Sequence, residues 1–159
     1  MKRILLCALF AIAAGAATAS AETAWGLRGG ITFDPDQVHV GAHMLAGELF
    51  EDGYFLPNVE VGFGDHMTII AVNPELVYKF TKRSSTPWGF YIGGGLGINF
   101  VSWDDDYFYS EHDSDTDLGL NILGGMSRKL SDGNDFFVEL KLGLSDSPDG
   151  KITAGFTFY

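Results

Sequence analysis

Residues 88–101 read WGFYIGGGLGINFV, and this segment has the clearest strand pattern in the chain. Large apolar side chains occupy alternate positions of the segment: Trp88, Phe90, Ile92, Leu96, Ile98 and Phe100. The positions between them hold glycine together with Tyr91 and Asn99. Alternation of this kind predicts a β-strand that has one apolar face and one face of small and polar side chains.

The same period of two recurs in seven other segments, which are separated by clusters of Asp, Gly, Asn, Pro and Ser. The eight predicted strands are Ala24–Phe33, Val38–Phe50, Leu56–Gly64, Thr68–Phe80, Trp88–Val101, Thr116–Leu130, Asp135–Leu144 and Lys151–Tyr159. Pro74 falls inside the fourth segment, and Leu45 departs from the alternation of the second. A membrane-spanning strand needs about 9–11 residues, whereas strands of globular proteins average about five or six. An even number of long strands favours a closed antiparallel barrel.

One face of these strands collects many glycines and a set of mid-strand charges. The charged positions are Arg28, Glu60, Glu75, Lys79, Glu139 and Lys141, which could pair if they were enclosed together. Glycine weakens a strand, but small residues suit the narrow interior of an eight-stranded barrel. Aromatic residues lie near strand ends, where membrane-interface girdles occur. We therefore predict an all-β fold, an eight-stranded antiparallel up-and-down transmembrane β-barrel with its apolar face towards lipid.

A soluble calycin-like barrel that binds an apolar ligand is the main alternative. In such a barrel the apolar face points inward, so Leu96, Ile98, Val138 and Leu140 would line the interior. The direction of the apolar face of residues 88–101 therefore distinguishes the two architectures.

The N-terminus has the pattern of an export signal. Lys2 and Arg3 precede an apolar run over residues 4–17, and the small residues at 19–21 form a cleavage site. We predict a signal peptide over residues 1–21 and one barrel domain over residues 22–159, located in the outer membrane of a Gram-negative cell envelope. Cys7, the single cysteine, lies in the predicted signal, so disulfides are not expected in the mature domain. The formal net charge of −11 argues against nucleic acid as a partner.

Several segments of the chain resemble a known family. Residues 73–80 (NPELVYKF) and 88–100 (WGFYIGGGLGINF) are similar to the core motifs of porin-family outer-membrane β-barrel domains, as are residues 136–144 (FFVELKLGL) with the final aromatic strand. The resemblance implies a monomeric barrel that contacts outer-membrane lipid and lipopolysaccharide and is inserted by the barrel assembly machinery. These motifs report barrel construction and name no activity.

The predicted outer turns are strongly acidic. They contain Asp34 and Asp36 in the first turn, Asp104, Asp105 and Asp106 in the longest loop, and Asp146 and Asp149 in the last turn. Because the first and last strands of a closed barrel are neighbours, the first and last outer turns should be adjacent. Hard cations prefer oxygen ligands, so we predict weak divalent-cation binding there, bridging lipopolysaccharide phosphates. The alternative is that these loops are simply solvated.

Catalysis has little support in the sequence. The His-x-Ser-Asn motif of the lipid A 3-O-deacylase family is absent, although Ser114 lies near His112 and Asp117 in the chain. We predict a protein that is not an enzyme and needs no cofactor. The enclosed charges either form a plug or line a narrow path for ions or water. Since eight strands leave an interior that side chains can fill, a structural or surface-interaction role without an open pore is favoured.

Overall fold

The computed structural model describes residues 23–64, 67–80, 86–103, 114–145 and 148–159. Its strands are β1 (Thr23–Phe33), β2 (Gln37–Phe50), β3 (Gly53–Phe55), β4 (Asn58–Gly64), β5 (Met67–Asn73), β6 (Glu75–Lys79), β7 (Trp88–Trp103), β8 (Ser114–Lys129), β9 (Asp135–Gly143) and β10 (Gly150–Phe158). Within these residues no helix is long and apolar enough to cross a membrane. The predicted signal peptide lies outside the described residues.

The sheet closes on itself. Every described strand pairs antiparallel with at least two others, and β1, the first, pairs with both β2 and β10, the last. The closing register runs from Trp25 opposite Phe158 to Phe33 opposite Gly150. The described strands therefore occupy eight positions around a closed ring, and we call each position a stave, whether one strand or two successive strands fill it. The predicted eight-stranded up-and-down fold is confirmed.

Two of the eight staves are interrupted, each beside a proline. The third stave consists of β3 and β4, which are separated by Leu56 and Pro57, and the fourth consists of β5 and β6, which are separated by Pro74. Proline has no N–H for a ladder, but its carbonyl still accepts. Met44 N donates to Pro57 O at 3.0 Å, and Leu96 N donates to Pro74 O at 3.2 Å. These bonds join the interrupted staves to their neighbours, so the predicted third and fourth strands become two segments each.

The barrel has two unlike ends. The terminal end carries both chain termini of the described domain, the turns at residues 51–52 and 130–134, the C-terminal end of β6 and the N-terminal end of β7. The loop end carries the C-terminal ends of β1, β4, β7 and β9 and the N-terminal ends of β2, β5, β8 and β10. At the loop end, Asp149 N lies 3.4 Å from Asp34 O, so the first and last turns of this end are adjacent.

The apolar face of the strands points outward. Along β7, Phe90, Ile92 and Leu96 are each more than half exposed, whereas Tyr91 and Asn99 are buried. Leu140 on β9 is also exposed, while its neighbours Glu139 and Lys141 are buried. A soluble barrel with an apolar interior requires the opposite arrangement. The calycin-like alternative is therefore wrong on the direction of these side chains.

Glycine makes room for large side chains inside the barrel. Large inward residues lie directly opposite glycine on the adjacent strand in the pairs His43–Gly26, Glu60–Gly41, Glu75–Gly95, Tyr91–Gly125 and Phe137–Gly155. A β-carbon at Gly125 would lie 2.3 Å from Tyr91 Cζ, and one at Gly95 would lie 2.9 Å from Glu75 Cγ. The abundance of glycine on the inner face thus follows from steric need.

A small apolar cluster fills the lumen near the terminal end. It contains Ala24, Leu45, Leu56, Val77, Tyr91 and Leu123. The sequence suggested that Leu45 breaks the strand alternation, but in the structure it does not. It keeps the inward register of His39 and His43, and its side chain is apolar because this layer of the lumen is apolar.

Candidate functional site

An ion-pair cluster occupies the middle of the lumen, and Arg28 on β1 is at its centre. The Arg28 guanidinium contacts two carboxylates: Nε lies 3.0 Å from Glu60 Oε1, and Nη2 bonds to Glu139 Oε1. All three side chains are almost fully buried. A planar guanidinium with several donors is suited to joining two carboxylates in this way.

Two lysines complete the cluster from β9 and β10. Lys141 Nζ lies 2.6 Å from Glu75 Oε1, and Lys151 Nζ lies 2.8 Å from Glu60 Oε2. We call Arg28, Glu60, Glu75, Glu139, Lys141 and Lys151 the central cluster. It contains three cations and three anions, so its formal charge is zero. Pairing of these charges matters because an unpaired buried charge would destabilise the fold by several kcal/mol, which is the cost of removing it from water.

Neutral side chains satisfy further carboxylate oxygens of the central cluster. Tyr91 Oη donates to Glu139 Oε2 at 3.0 Å, and Asn58 Nδ2 donates to Glu75 Oε2 at 2.7 Å. Asn73 Nδ2 in turn donates to Asn58 Oδ1 at 2.8 Å. Hydrogen bonds to charged groups are stronger than neutral ones, so this shell helps to hold the carboxylates in place.

Two histidines extend the polar lumen beside the central cluster. His39 lies between two hydroxyls, with Nδ1 2.9 Å from Thr32 Oγ1 and Nε2 3.0 Å from Thr153 Oγ1. His43 Nε2 lies 2.9 Å from Thr157 Oγ1, and its ring meets Phe137 edge-on at 5.2 Å. Both rings are buried, and their hydrogen bonds link β2 to β1 and to β10, which is a packing role.

The structure brings together five of the six predicted lumen charges, namely Arg28, Glu60, Glu75, Glu139 and Lys141. Lys79 lies apart, near the terminal end, where its ammonium is 4.8 Å from the centroid of the Tyr54 ring. No ion pair among the described residues joins it to the central cluster. Lys151 takes its place and was missed because it stands at the first position of a predicted strand. The inward register that it shares with Thr153 was the signal that could have found it.

A wider space lies between the central cluster and the loop end. We call it the vestibule. Its volume is about 320 Å³, and its walls include Asp34, Asp115, Asp117, Asn99, Met67 and Trp103. A smaller space of about 10 Å³, the floor cavity, lies below it and shares Asn99 and Pro148 with it. The floor cavity is also lined by Asn121, Lys141 and Lys151, so it separates the vestibule from the central cluster.

The acidic turns give no metal-binding geometry among the described residues. Asp34 and Asp149 lie in adjacent turns, and Asp36 is two residues from Asp34 in the chain. Asp104, Asp105, Asp106 and Asp146 lie outside the described residues. No group of three or more His, Cys, Asp or Glu side chains in the described part of the chain could hold a metal ion. Of the possible catalytic set, His112 also lies outside the described residues, whereas Asp117 lines the vestibule.

Solved structures share this architecture at low sequence identity. No protein-family model matches the chain, and no curated protein sequence matches it. Neisserial surface protein A is 14% identical, with a TM-score of 0.60, covering 85% of this chain and 94% of that chain. The N-terminal β-barrel domain of Pseudomonas aeruginosa OprF is 13% identical, with a TM-score of 0.61, covering 87% and 98%. The Yersinia pestis outer membrane protein Ail is 12% identical, with a TM-score of 0.51, covering 86% and 99%.

At these low identities, the structural likeness shows a shared fold, and residue roles are not transferred from those proteins to this chain. The ring of eight staves, the outward apolar face and the structural likeness agree with one another. The chain has the fold of the small β-barrels found in these outer-membrane proteins.

Proposed function

We propose that this protein is an integral outer-membrane β-barrel with a structural or surface-interaction role and a lumen that is closed to solutes. The proposal includes export by the signal peptide at residues 1–21, a porin-family origin and no enzymatic activity. The observation that carries it is the inverted barrel, in which apolar side chains cover the outside while paired charges occupy the inside. A protein with this surface needs an apolar solvent around its middle.

Aromatic side chains at the terminal end support a membrane position. The rings of Trp25 and Phe158 are 4.9 Å apart, and those of Phe136 and Phe156 are 5.4 Å apart. The Arg128 guanidinium lies 5.9 Å from the Trp88 ring. Amphipathic rings and nearby cations are typical of the interface between hydrocarbon and head groups. In this orientation the terminal end faces the periplasm and the acidic loop end faces outward.

Contacts across the lumen support the absence of an open pore. Lys141 and Glu75 come from the seventh and fourth staves, and Lys151 and Glu60 come from the eighth and third. Each pair joins staves that are three positions apart in a ring of eight, so the ion pairs cross the interior. A lumen crossed by side chains at this level leaves no room for a hydrated solute.

Detergent dependence tests the membrane proposal. The mature protein should be soluble only with detergent or lipid, and it should migrate differently in gels before and after heating, as closed membrane barrels do. A folded protein that stays soluble and monomeric without detergent would contradict the proposal.

Single-channel recording in a planar bilayer tests the closed lumen. The wild type should be silent, and the variant Glu75→Ala/Lys141→Ala should conduct because one cross-lumen pair is removed without a change of net charge. The control Lys129→Ala/Asp132→Ala removes one charge of each sign at the terminal rim and should stay silent. A steady conductance from the wild type would overturn the closed lumen while leaving the membrane proposal intact.

A further inference from the structure

The outer face of the barrel carries a cation near the terminal end of β8. Arg128 is exposed and lies in the outward register of Met126 and Ile122, which are exposed as well. Among the described residues of β7, β8 and β9, it is the only charged side chain in that register. A cation on a lipid-facing surface is unfavourable unless it reaches an anion or water at the membrane interface.

Aromatic rings flank Arg128 on both neighbouring strands. Trp88 is directly opposite it on β7, and Phe136 is directly opposite it on β9. The guanidinium lies 5.9 Å from the centroid of the Trp88 ring, and the rings of Trp88 and Phe136 meet edge to face at 6.5 Å. This arrangement places the charged group at the level of the aromatic girdle, where lipid head groups lie.

No carboxylate among the described residues forms an ion pair with Arg128. The acids nearest to it in the chain, Asp132 and Asp135, accept hydrogen bonds from other side chains instead. The connection at residues 80–87, which leads into β7, contains no acid in its sequence. The guanidinium donors therefore remain available to an anionic group from the membrane.

The same face of β8 has room for an acyl chain. Gly124 is four residues from Arg128, about 13 Å along the strand towards the middle of the barrel. Directly opposite Gly124 are Ile92 on β7 and Leu140 on β9, which are 56% and 48% exposed. A β-carbon at Gly124 would have no atom nearer than 3.9 Å, so the position is open. Two protruding side chains with a glycine between them form a groove at the depth of the hydrocarbon.

We infer that this face of the barrel binds one glycerophospholipid with an anionic head group, from the leaflet at the terminal end. The phosphate accepts hydrogen bonds from Arg128 between the rings of Trp88 and Phe136, and one acyl chain lies in the groove at Gly124. The planar donors of a guanidinium match two phosphate oxygens. A head group without an ammonium leaves the phosphate charge for Arg128 to compensate. The inference rests on the proposed membrane barrel and adds the class of lipid that it binds.

Quenching of tryptophan fluorescence by brominated lipids tests this inference in phosphatidylcholine vesicles. A Trp25→Phe/Trp103→Phe background leaves Trp88 at the site, and a Trp88→Phe/Trp103→Phe background leaves Trp25 as a control. Trp25 lies on the outward face of β1 at the same end, beside Phe158 and in contact with no cation of the described residues.

Brominated phosphatidylglycerol should be enriched about fivefold at Trp88 relative to its mole fraction, the effect of one cation near an anionic head group. It should not be enriched at Trp25. Equal enrichment at the two tryptophans, or none at Trp88, would overturn the inference.

Variants of neighbouring residues separate the site from the general charge of this end. Arg128→Gln should abolish the enrichment at Trp88. Lys129→Gln makes the same change of charge at the next residue, whose ammonium lies 5.5 Å from the Tyr159 ring, and it should keep the enrichment. Equal losses in the two variants would contradict a site at Arg128.

The groove is tested by filling it. Native mass spectrometry of the protein in an uncharged detergent should show one bound phosphatidylglycerol, and Gly124→Leu should lose it. Ala42→Leu adds the same side chain to the outward face of β2, on the opposite side of the ring, and should retain the lipid. Retention of the lipid by Gly124→Leu would overturn the placement of the acyl chain.

Brominated phosphatidylcholine distinguishes failure of this inference from failure of the proposed barrel. A membrane barrel with its apolar face towards lipid lets this probe quench both Trp25 and Trp88. If neither is quenched, the proposed membrane barrel is wrong, and the lipid site with it. If both are quenched but phosphatidylglycerol shows no preference for Trp88, only the lipid site is wrong. Heat-modifiable migration of each variant shows that it is folded.

Discussion

In the centre of the lumen three carboxylates face three cations, whereas in the vestibule three carboxylates face no cation among the described lining residues. Both sets use inward positions of the same barrel and differ in depth. Where water is excluded, an uncompensated charge is too costly to keep, so the central acids are neutralised in place. At the loop end, solvent lowers that cost, and uncompensated acids are retained. The comparison indicates that charge pairing follows depth, because it is complete in the central cluster and absent among the described lining residues of the vestibule.

Matched acid-to-amide substitutions test this difference with the largest expected effect. Glu60→Gln removes the charge that faces Arg28 and Lys151, so it should lower the free energy of unfolding by about 3–5 kcal/mol. Asp117→Asn, in the vestibule, should change it by less than about 0.5 kcal/mol. Urea unfolding in lipid vesicles, followed by tryptophan fluorescence, measures both. Equal losses of unfolding free energy in the two variants would contradict the difference between the central cluster and the vestibule.

The packing of uncharged side chains inside the barrel gives the next largest expected effect on the free energy of unfolding. Gly125→Ala would place a β-carbon 2.3 Å from Tyr91 Cζ, whereas Gly124→Ala would place one 3.9 Å from the nearest atom. We expect Gly125→Ala to cost about 2 kcal/mol, as overpacking does. The adjacent Gly124→Ala, on the outward face, should be close to neutral and is the matched control. The same urea titration applies, and similar losses in both variants would show that the inner face is not tightly packed.

The fold could be predicted from the sequence because its main determinants are local. The alternation in residues 88–101, the glycines of the inner face and the mid-strand charges were sufficient for the strand number and the direction of the faces. The register of the strands could not be predicted from the sequence, since it depends on which residues lie opposite one another on adjacent strands. The pairs Glu75–Gly95 and Tyr91–Gly125 became visible only when the strands were aligned.

The candidate site was predicted in part, for the same reason. Residue type and parity, the odd or even position of a residue in its strand, indicated that Arg28, Glu60 and Glu139 point inward. The depth of a side chain along the barrel axis depends instead on register and strand tilt. Lys79 has the right parity and lies too near the terminal end to join the central cluster. Lys151 has the right parity and depth, yet its position at a strand start concealed it. The vestibule required the three-dimensional arrangement, because Asp34 and Asp117 are far apart in the chain.

A single hydroxyl tests the neutral shell of the central cluster. Tyr91→Phe removes the donor to Glu139 Oε2 at 3.0 Å and should cost about 1.5 kcal/mol, the lower range for hydrogen bonds to charged groups. Tyr78→Phe is the control, since Tyr78 lies on the outward face of β6. A difference between the two variants below about 0.5 kcal/mol would mean that the Arg28 contact alone satisfies Glu139.

The smallest expected effect concerns Asp132, an exposed carboxylate that is compensated by N–H donors instead of a cation. The Asn134 side-chain amide donates to Oδ2 at 2.9 Å and its backbone N–H donates to Oδ1 at 3.1 Å, and these bonds lower the pKa of Asp132. Because the folded-state pKa is depressed, the contribution to stability is present above the ordinary carboxyl pKa and is lost as the pH falls through the folded value.

Asn134→Ala removes the side-chain donor, so the pKa of Asp132 should rise towards its ordinary value, as an NMR titration of the Asp132 carboxyl would show. Ser131→Ala in the same turn is the control and should leave that pKa unchanged. An unchanged pKa in Asn134→Ala would show that the backbone N–H alone holds the carboxylate. In that case a fully solvated acid needs no side-chain partner, whereas the buried Glu60 does, and the dependence of charge compensation on depth would be sharper still.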